Sequence, residues 1–221
     1  MGAMSTTEHP TPTPDALDPG DPRAHLAAAV RTLRPIMAAV TPDQYDLPTP
    51  CPDLTVQDLL GHLVMVVRRI ACAGRGQEVS TWPVDSDDVA PGGWLDAVVE
   101  AAHDVQASWP DDVLDRPTPV PWGVFSGAEV AAIYVNELTV HTWDLARATG
   151  QDVPWDEAAL TCSWEAINFQ LPEADRTPQW DAAKAYLPPG VPWEDPFANA
   201  VDVADDAPLI DRLVAWNGRT P

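Results

Sequence analysis

SGAEVAAIYVNELTVHTWDLARATG, residues 126–150, carries the start, the face and the stop of one long helix. Ser126 and Glu129 have the spacing of a reciprocal capping box, and Gly150 supplies a residue that tolerates the left-handed conformation at a helix end. With Glu137 set at zero and each residue turning about 100°, Val130 and Ala148 fall near +20°, Ile133 near −40° and Tyr134 near +60°. His141 falls near +40° and Asp144 near −20° on the same count, so three ionisable groups share the apolar stripe. A stripe of this kind faces the interior of a helical protein, and the chemistry of those groups must be reconciled with burial there.

Three more helices are expected. Asp21 followed by Pro22 is a capping side chain and a proline at the first helical position, after which Leu26, Val30, Leu33 and Met37 recur at helical spacing. Pro35 should kink or end its last turn. The segment TPDQYDLPTPCPDL, residues 41–54, holds four prolines and reads as a connector. The second helix starts at Thr55, whose spacing to Asp58 is that of a capping box, buries Leu59, Leu63, Val66, Val67 and Ile70, and stops at Gly74 and Gly76. The third spans Trp94 to Trp109 with Trp94, Val98, Ala101, Ala102 and Val105 inward. A second long connector, residues 110–125, precedes the quoted helix. Four helices of these lengths define an all-α protein, an antiparallel four-helix bundle.

Residues 1–20, rich in Pro, Thr and Asp, read as a disordered lead-in, with Met1 to Ala3 ahead of Met4 as an artificial leader; His9 lies within it. Beyond Gly150 a fifth helix is expected from Trp155 to Gln170, then an irregular Pro- and Trp-rich piece over 172–196. A short last helix, Ala207 to Trp216, is expected to pack on the bundle. Residues 21–221 therefore read as one domain with a C-terminal extension.

The whole-chain balance excludes several classes. Thirty-four acidic against twelve basic residues leave a formal charge of −22, which repels nucleic acid and anionic membrane surfaces. The longest apolar run, around Leu59 to Cys72, is interrupted by His62, Arg68 and Arg69 and does not span a bilayer. Three cysteines, Cys51, Cys72 and Cys162, form no CxxC pair, which fits a reducing, cytoplasmic setting. Cys51 reads either as a redox handle or as a buried structural thiol. The expected partner is a small molecule, with the chain a monomer or a homodimer.

On the second helix, with Leu59 at zero, His62 lies near −60° on the flank of the buried stripe. His25 and His103 point off the apolar faces of their helices, so two of the five histidines, His62 and His141, are placed to meet. Two imidazoles and the Glu137 carboxylate are costly inside a bundle unless paired, and a metal ion satisfies all three at once. The open alternative is a hydrogen-bonded histidine–carboxylate pair in the core. Asp144, one heptad beyond Glu137, is the candidate catalytic residue, orienting a ligand or holding a substrate amine or hydroxyl; its bland alternative is a buried salt bridge to Arg68 or Arg69. Trp82, Trp122, Trp155, Trp180 and Trp193 fall in expected loops, where they either wall a cavity or pin those loops to the bundle.

TPCPDLTVQDLLGHLV (residues 49–64) and NELTVHTWDLARATG (residues 136–150), with the ending APLIDRLVAWNGRTP (residues 207–221), resemble the signatures of the DinB-like, mycothiol-dependent maleylpyruvate isomerase superfamily, in particular its short actinobacterial metal-binding members. The resemblance implies a bundle holding a divalent ion, zinc first and nickel second, through His62 of GHL and Glu137 and His141 of E-x3-H. Glutamate at 137, where many DinB-like relatives have histidine, sides with the isomerase-like branch. That branch carries a further C-terminal domain, whereas about 70 residues follow Gly150 here. The implied activity is a metal-dependent thiol transfer or isomerisation of a small electrophile with mycothiol or a similar thiol as cosubstrate. Alternatives are a metal hydrolase with an activated water and a non-catalytic metal- or ligand-binding protein.

Overall fold

The computed structural model describes residues 17–18, 20–52, 54–173, 175–184 and 197–221. Most of the expected lead-in, His9 included, and Asp53 and Trp193 lie outside these residues. Seven helices are seen among the described residues: α1 (Pro22–Ala38), α2 (Val56–Arg75), α3 (Trp94–Ser108), α4 (Gly127–Thr149), α5 (Glu157–Gln170), α6 (Thr177–Lys184) and α7 (Leu209–Trp216). The all-α bundle expected from the apolar periodicity is thus the observed fold.

The caps behave as the sequence dictates. The Asp21 side chain accepts from the Arg23 N–H, while Thr55 with Asp58 and Ser126 with Glu129 form complete capping boxes. Gly150 closes α4 at φ 70°, in the left-handed region where a side chain is strained. α1 passes Pro35 and ends at Ala38, because a proline in the final turn costs only one ladder bond.

The four long helices run two each way. The first turn of α1 meets the end of α3, where Arg23 donates to the Trp109 carbonyl. The end of α1 lies beside the end of α4, where Gln151 donates to the Ile36 carbonyl. α1 and α4 are therefore parallel to one another and opposed to α2 and α3. The side-by-side run of α2 and α3 is tight at Gly74, where a Cβ would lie 2.5 Å from Trp109 Nε1 and 2.6 Å from the Ser108 carbonyl. The connections between α1 and α2 and between α2 and α3 are long enough to allow this order in place of a simple up-and-down hairpin chain.

One aliphatic core, with Leu33, Leu59, Leu63, Ile70, Leu138 and Leu145 at 2% exposure or less, fills the bundle. A second, more aromatic cluster lies on the far side of α4, where Val140, Leu160, Ile167, Leu171, Trp180 and Leu213 pack together. α4 is thereby enclosed by the bundle on one side and by α5 and α7 on the other, and most of its residues are buried.

Two local expectations change. Residues 110–125 are not wholly irregular: Pro117–Val120 (β1) and Gly123–Ser126 (β2) pair antiparallel as a small hairpin. Within the stretch expected to be irregular, residues 177–184 form α6, and Trp180 is a buried helix residue whose Nε1 donates to the Phe197 carbonyl. Helical propensity there is weak, and packing on the second cluster supplies the stabilisation that the sequence pattern does not advertise. Trp82 does pin its loop: it is buried, and its Nε1 donates to the Gln77 carbonyl.

Candidate metal centre

α2 and α4 cross so that His62, in the second turn of α2, reaches the middle of α4. His62 Nε2 and His141 Nε2 each lie 3.2 Å from the same oxygen, Glu137 Oε1. The two imidazole rings meet edge to face at 4.7 Å between centroids. Each of the three residues offers a ligand atom within 4.8 Å of the other two. For zinc–ligand bonds of about 2.0–2.2 Å, a tetrahedral arrangement separates neighbouring ligand atoms by about 3.4 Å. The two measured separations of 3.2 Å are close to that, so the donor set and its spacing fit a divalent ion. The His141 side chain is 8% exposed, against 25% for Glu137 and 27% for His62, so the trio opens to solvent on the His62 and Glu137 side and is closed behind His141.

Behind His141 sits Asp144, fully buried, accepting at Oδ2 from His141 Nδ1 over 3.0 Å. The expected salt bridge of Asp144 to Arg68 or Arg69 is not what forms. Arg68 pairs with Asp88, and Arg69 donates to the Pro83 carbonyl. The partner is Arg219, beyond α7, whose Nη2 lies 2.9 Å from Asp144 Oδ2 and whose Nε lies 3.3 Å from Oδ1. This forked pairing leaves the Asp144 carboxylate with a donor on each oxygen, which a point-charge lysine would not achieve as well. Two positions earlier, Asn217 donates to Asn136 Oδ1 and accepts from Asn136 Nδ2, while Ser163 of α5 donates to the same Asn136 oxygen. The tail after α7 therefore grips α4 on either side of the Glu137–His141 turn. Neither Asn217 nor Arg219 was singled out by helical periodicity, since both lie past the last helix. The available signal was an arginine beyond the last expected helix in a chain poor in basic residues.

The charges follow from this geometry. Burial alone would raise the Glu137 carboxyl, but the His141 charge and hydrogen bonds from both imidazoles hold it well below the carboxylate range. Burial would lower His141, yet the Glu137 charge and the Asp144 hydrogen bond prevail and push it up to about 9. With a carboxylate on each ring nitrogen, metal-free His141 is an imidazolium donating to both. Burial likewise opposes the ionised Asp144, and His141 and Arg219 overcome it.

A second set of ligand-type atoms, from Cys51, His141 and Asp144, also falls within 4.8 Å. The Arg219 cation on Asp144 disfavours another cation there. Two surface clefts, one lined by Trp143, Arg147, Gln151 and Trp155 and the other by Glu129, Ile133 and Phe169, include none of the three ligand-type residues. Among the described residues no helix is long and apolar enough to cross a membrane.

A four-helix bundle with two imidazoles and one carboxylate gathered from facing helices defines a DinB-like protein. Within that class the chain belongs to the mycothiol maleylpyruvate isomerase N-terminal domain family, whose sequence profile matches residues 26–146. That span covers α2, α3 and all three ligand-type residues and stops before α5. Two uncharacterized proteins of Mycobacterium tuberculosis, MT0763 of strain CDC 1551 / Oshkosh and Rv0738 of strain H37Rv, are each similar to this chain. Each is 28% identical over 192 residues, covering 84% of this chain and 90% of the relative. Both alignments are too long to be confined to the 26–146 span. No solved structure matches the chain.

Proposed function

We propose that this protein is a metal-dependent enzyme that joins a low-molecular-weight thiol such as mycothiol to a small electrophile, as a thiol transferase or isomerase. The observation that carries the reading is the convergence of His62, Glu137 and His141 from two helices, in a chain whose family is linked by name to mycothiol. These three would hold the ion, zinc first and nickel second. When bound there, the ion supplies a Lewis acid that favours the deprotonated form of a coordinated thiol near neutral pH.

The remaining work falls to the chain's own residues. With an ion in place, Asp144 would keep the one remaining proton of His141 on Nδ1 and so leave the Nε2 lone pair to the metal. Arg219 keeps Asp144 ionised and fixes its plane. Asp144 is thus a positioning residue. Its complete burial behind His141 also counts against the hydrolase reading, in which Asp144 would be the general base and would need to reach a water. The partly exposed edges of His62 and Glu137 mark the side from which a small substrate approaches.

Elemental analysis of the purified protein should find one equivalent of a divalent metal. Consumption of maleylpyruvate, used as the probe electrophile, should require mycothiol, and His141→Ala should lose metal and activity together. A stoichiometric metal with no dependence on thiol would overturn the transferase reading, and absence of metal from protein purified without chelator and then offered zinc would overturn the metal site itself.

A further inference from the structure

Tyr134 lies one turn before Glu137 on α4, about 60° from it around the helix, on the stripe that also carries His141. The residue is 3% exposed. Its hydroxyl has no hydrogen-bond partner among the described residues, a condition shared only with Trp216 Nε1. Buried hydroxyls in native proteins are nearly always satisfied, and phenylalanine would fill the same space without the desolvation cost of an O–H. The orphan therefore asks for a reason that packing does not supply.

Its surroundings offer one. The charged and titratable groups that act on the phenol are Glu137 from its own helix and Arg69 and Cys72 from α2, the helix that packs against α4 and carries His62. From the hairpin, the half-exposed Trp122 ring packs edge to face on Tyr134 at 6.2 Å. Burial, with the Glu137 charge, pushes the phenol well above its ordinary value, so it stays protonated and is able to donate at any physiological pH.

We propose that the Tyr134 hydroxyl is a specificity-determining donor that holds an acceptor oxygen of the substrate, a carbonyl or carboxylate oxygen, beside the metal centre. The proposal rests on the metal-dependent reading above. Trp122, at the turn of the hairpin, covers the same position and forms the apolar wall against which such a substrate is held. The hydroxyl orients the substrate and takes no part in ligating the ion.

Tyr134→Phe tests this, because it removes one oxygen and keeps the ring against Trp122. The probe is acetohydroxamate, which offers a carbonyl oxygen to a donor, titrated calorimetrically into zinc-loaded protein. The variant should bind zinc within about twofold of the parent and be at least as stable to heat, yet bind acetohydroxamate about tenfold more weakly, the equivalent of one lost hydrogen bond. Unchanged acetohydroxamate affinity would overturn the proposal and leave the hydroxyl as a group satisfied by solvent alone. Loss of zinc in the variant would also overturn it, by making Tyr134 part of the metal site. Failure of the parent protein to bind zinc would instead bring down the metal-dependent reading itself, and the two failures are told apart by the parent's zinc titration.

Discussion

α4 is held from two sides that are built differently. On the bundle side the contacts are aliphatic, and His62, Glu137 and His141 meet at the edge of that core. On the other side α5 and α7 pack on one another through Trp164 and Trp216, with Arg212 over the Trp164 ring, and they and the tail hold α4 through buried polar groups: the Asn136–Asn217–Ser163 cluster and Arg219 on Asp144. Hydrophobic burial is non-directional and makes the bundle strong, whereas buried hydrogen bonds work only in one arrangement and give the annex its exact seat on α4. The candidate ligands belong to the first side, and the groups that orient His141 belong to the second.

The division can be broken most directly at the ligands. His62→Ala or Glu137→Ala should abolish stoichiometric metal binding, read by elemental analysis, while circular dichroism stays helical; a variant that still holds one equivalent would show that the bundle side is not where the ion sits. Next in size, Leu63→Ala, in the fully buried bundle core, should cost about 2–5 kcal/mol in denaturant unfolding. A loss below about 1 kcal/mol would mean the aliphatic core does not carry the bundle's stability.

Asp144→Asn sharpens the other side. It removes the charge that meets Arg219 and weakens the acceptor for His141 Nδ1, so metal affinity should fall about 10–100-fold without being lost, measured by competition with a chromophoric chelator. Complete loss, equal to that of His62→Ala, would erase the distinction between ligand and positioning residue.

The smallest effect is that of pH on the metal-free protein. His141 is raised from the ordinary 6.5 to about 9 in the fold. Its contribution to stability is therefore full below about pH 6.5 and is lost as pH rises through about 9. Glu137, depressed in the fold, contributes stability above its ordinary range and loses it only in acid, outside this window. The melting temperature without metal should fall from pH 6.5 to 9.5. Zinc affinity should rise over the same interval, because loading Nε2 requires the imidazolium to release a proton. A flat melting profile would show that His141 is not held between two carboxylates.

Much of the bundle was legible because its signals are local. Capping boxes at Thr55 and Ser126, Asp21 ahead of Pro22, and glycines after α2 and α4 are read within a few residues, and an angular count put His62, Glu137, His141 and Asp144 inward. The hairpin at 117–126, α6, and the partner of Asp144 were not legible. Each depends on a neighbour far away in sequence: α6 on the cluster around Trp180, Asp144 on a residue 75 positions later.

That four amphipathic helices form, where they start and stop, and which polar side chains turn inward all follow from local pattern, since helical periodicity fixes direction about an axis without reference to anything else. It took the packing of those helices to set α1 and α4 against α2 and α3, to bring His62 and His141 to one oxygen of Glu137, and to make Arg219 rather than Arg68 or Arg69 the cation on Asp144. The reason is geometric: periodicity specifies a face, but distance and partner arise only when separate elements are packed, and a buried carboxylate takes whichever cation the packed chain delivers to it.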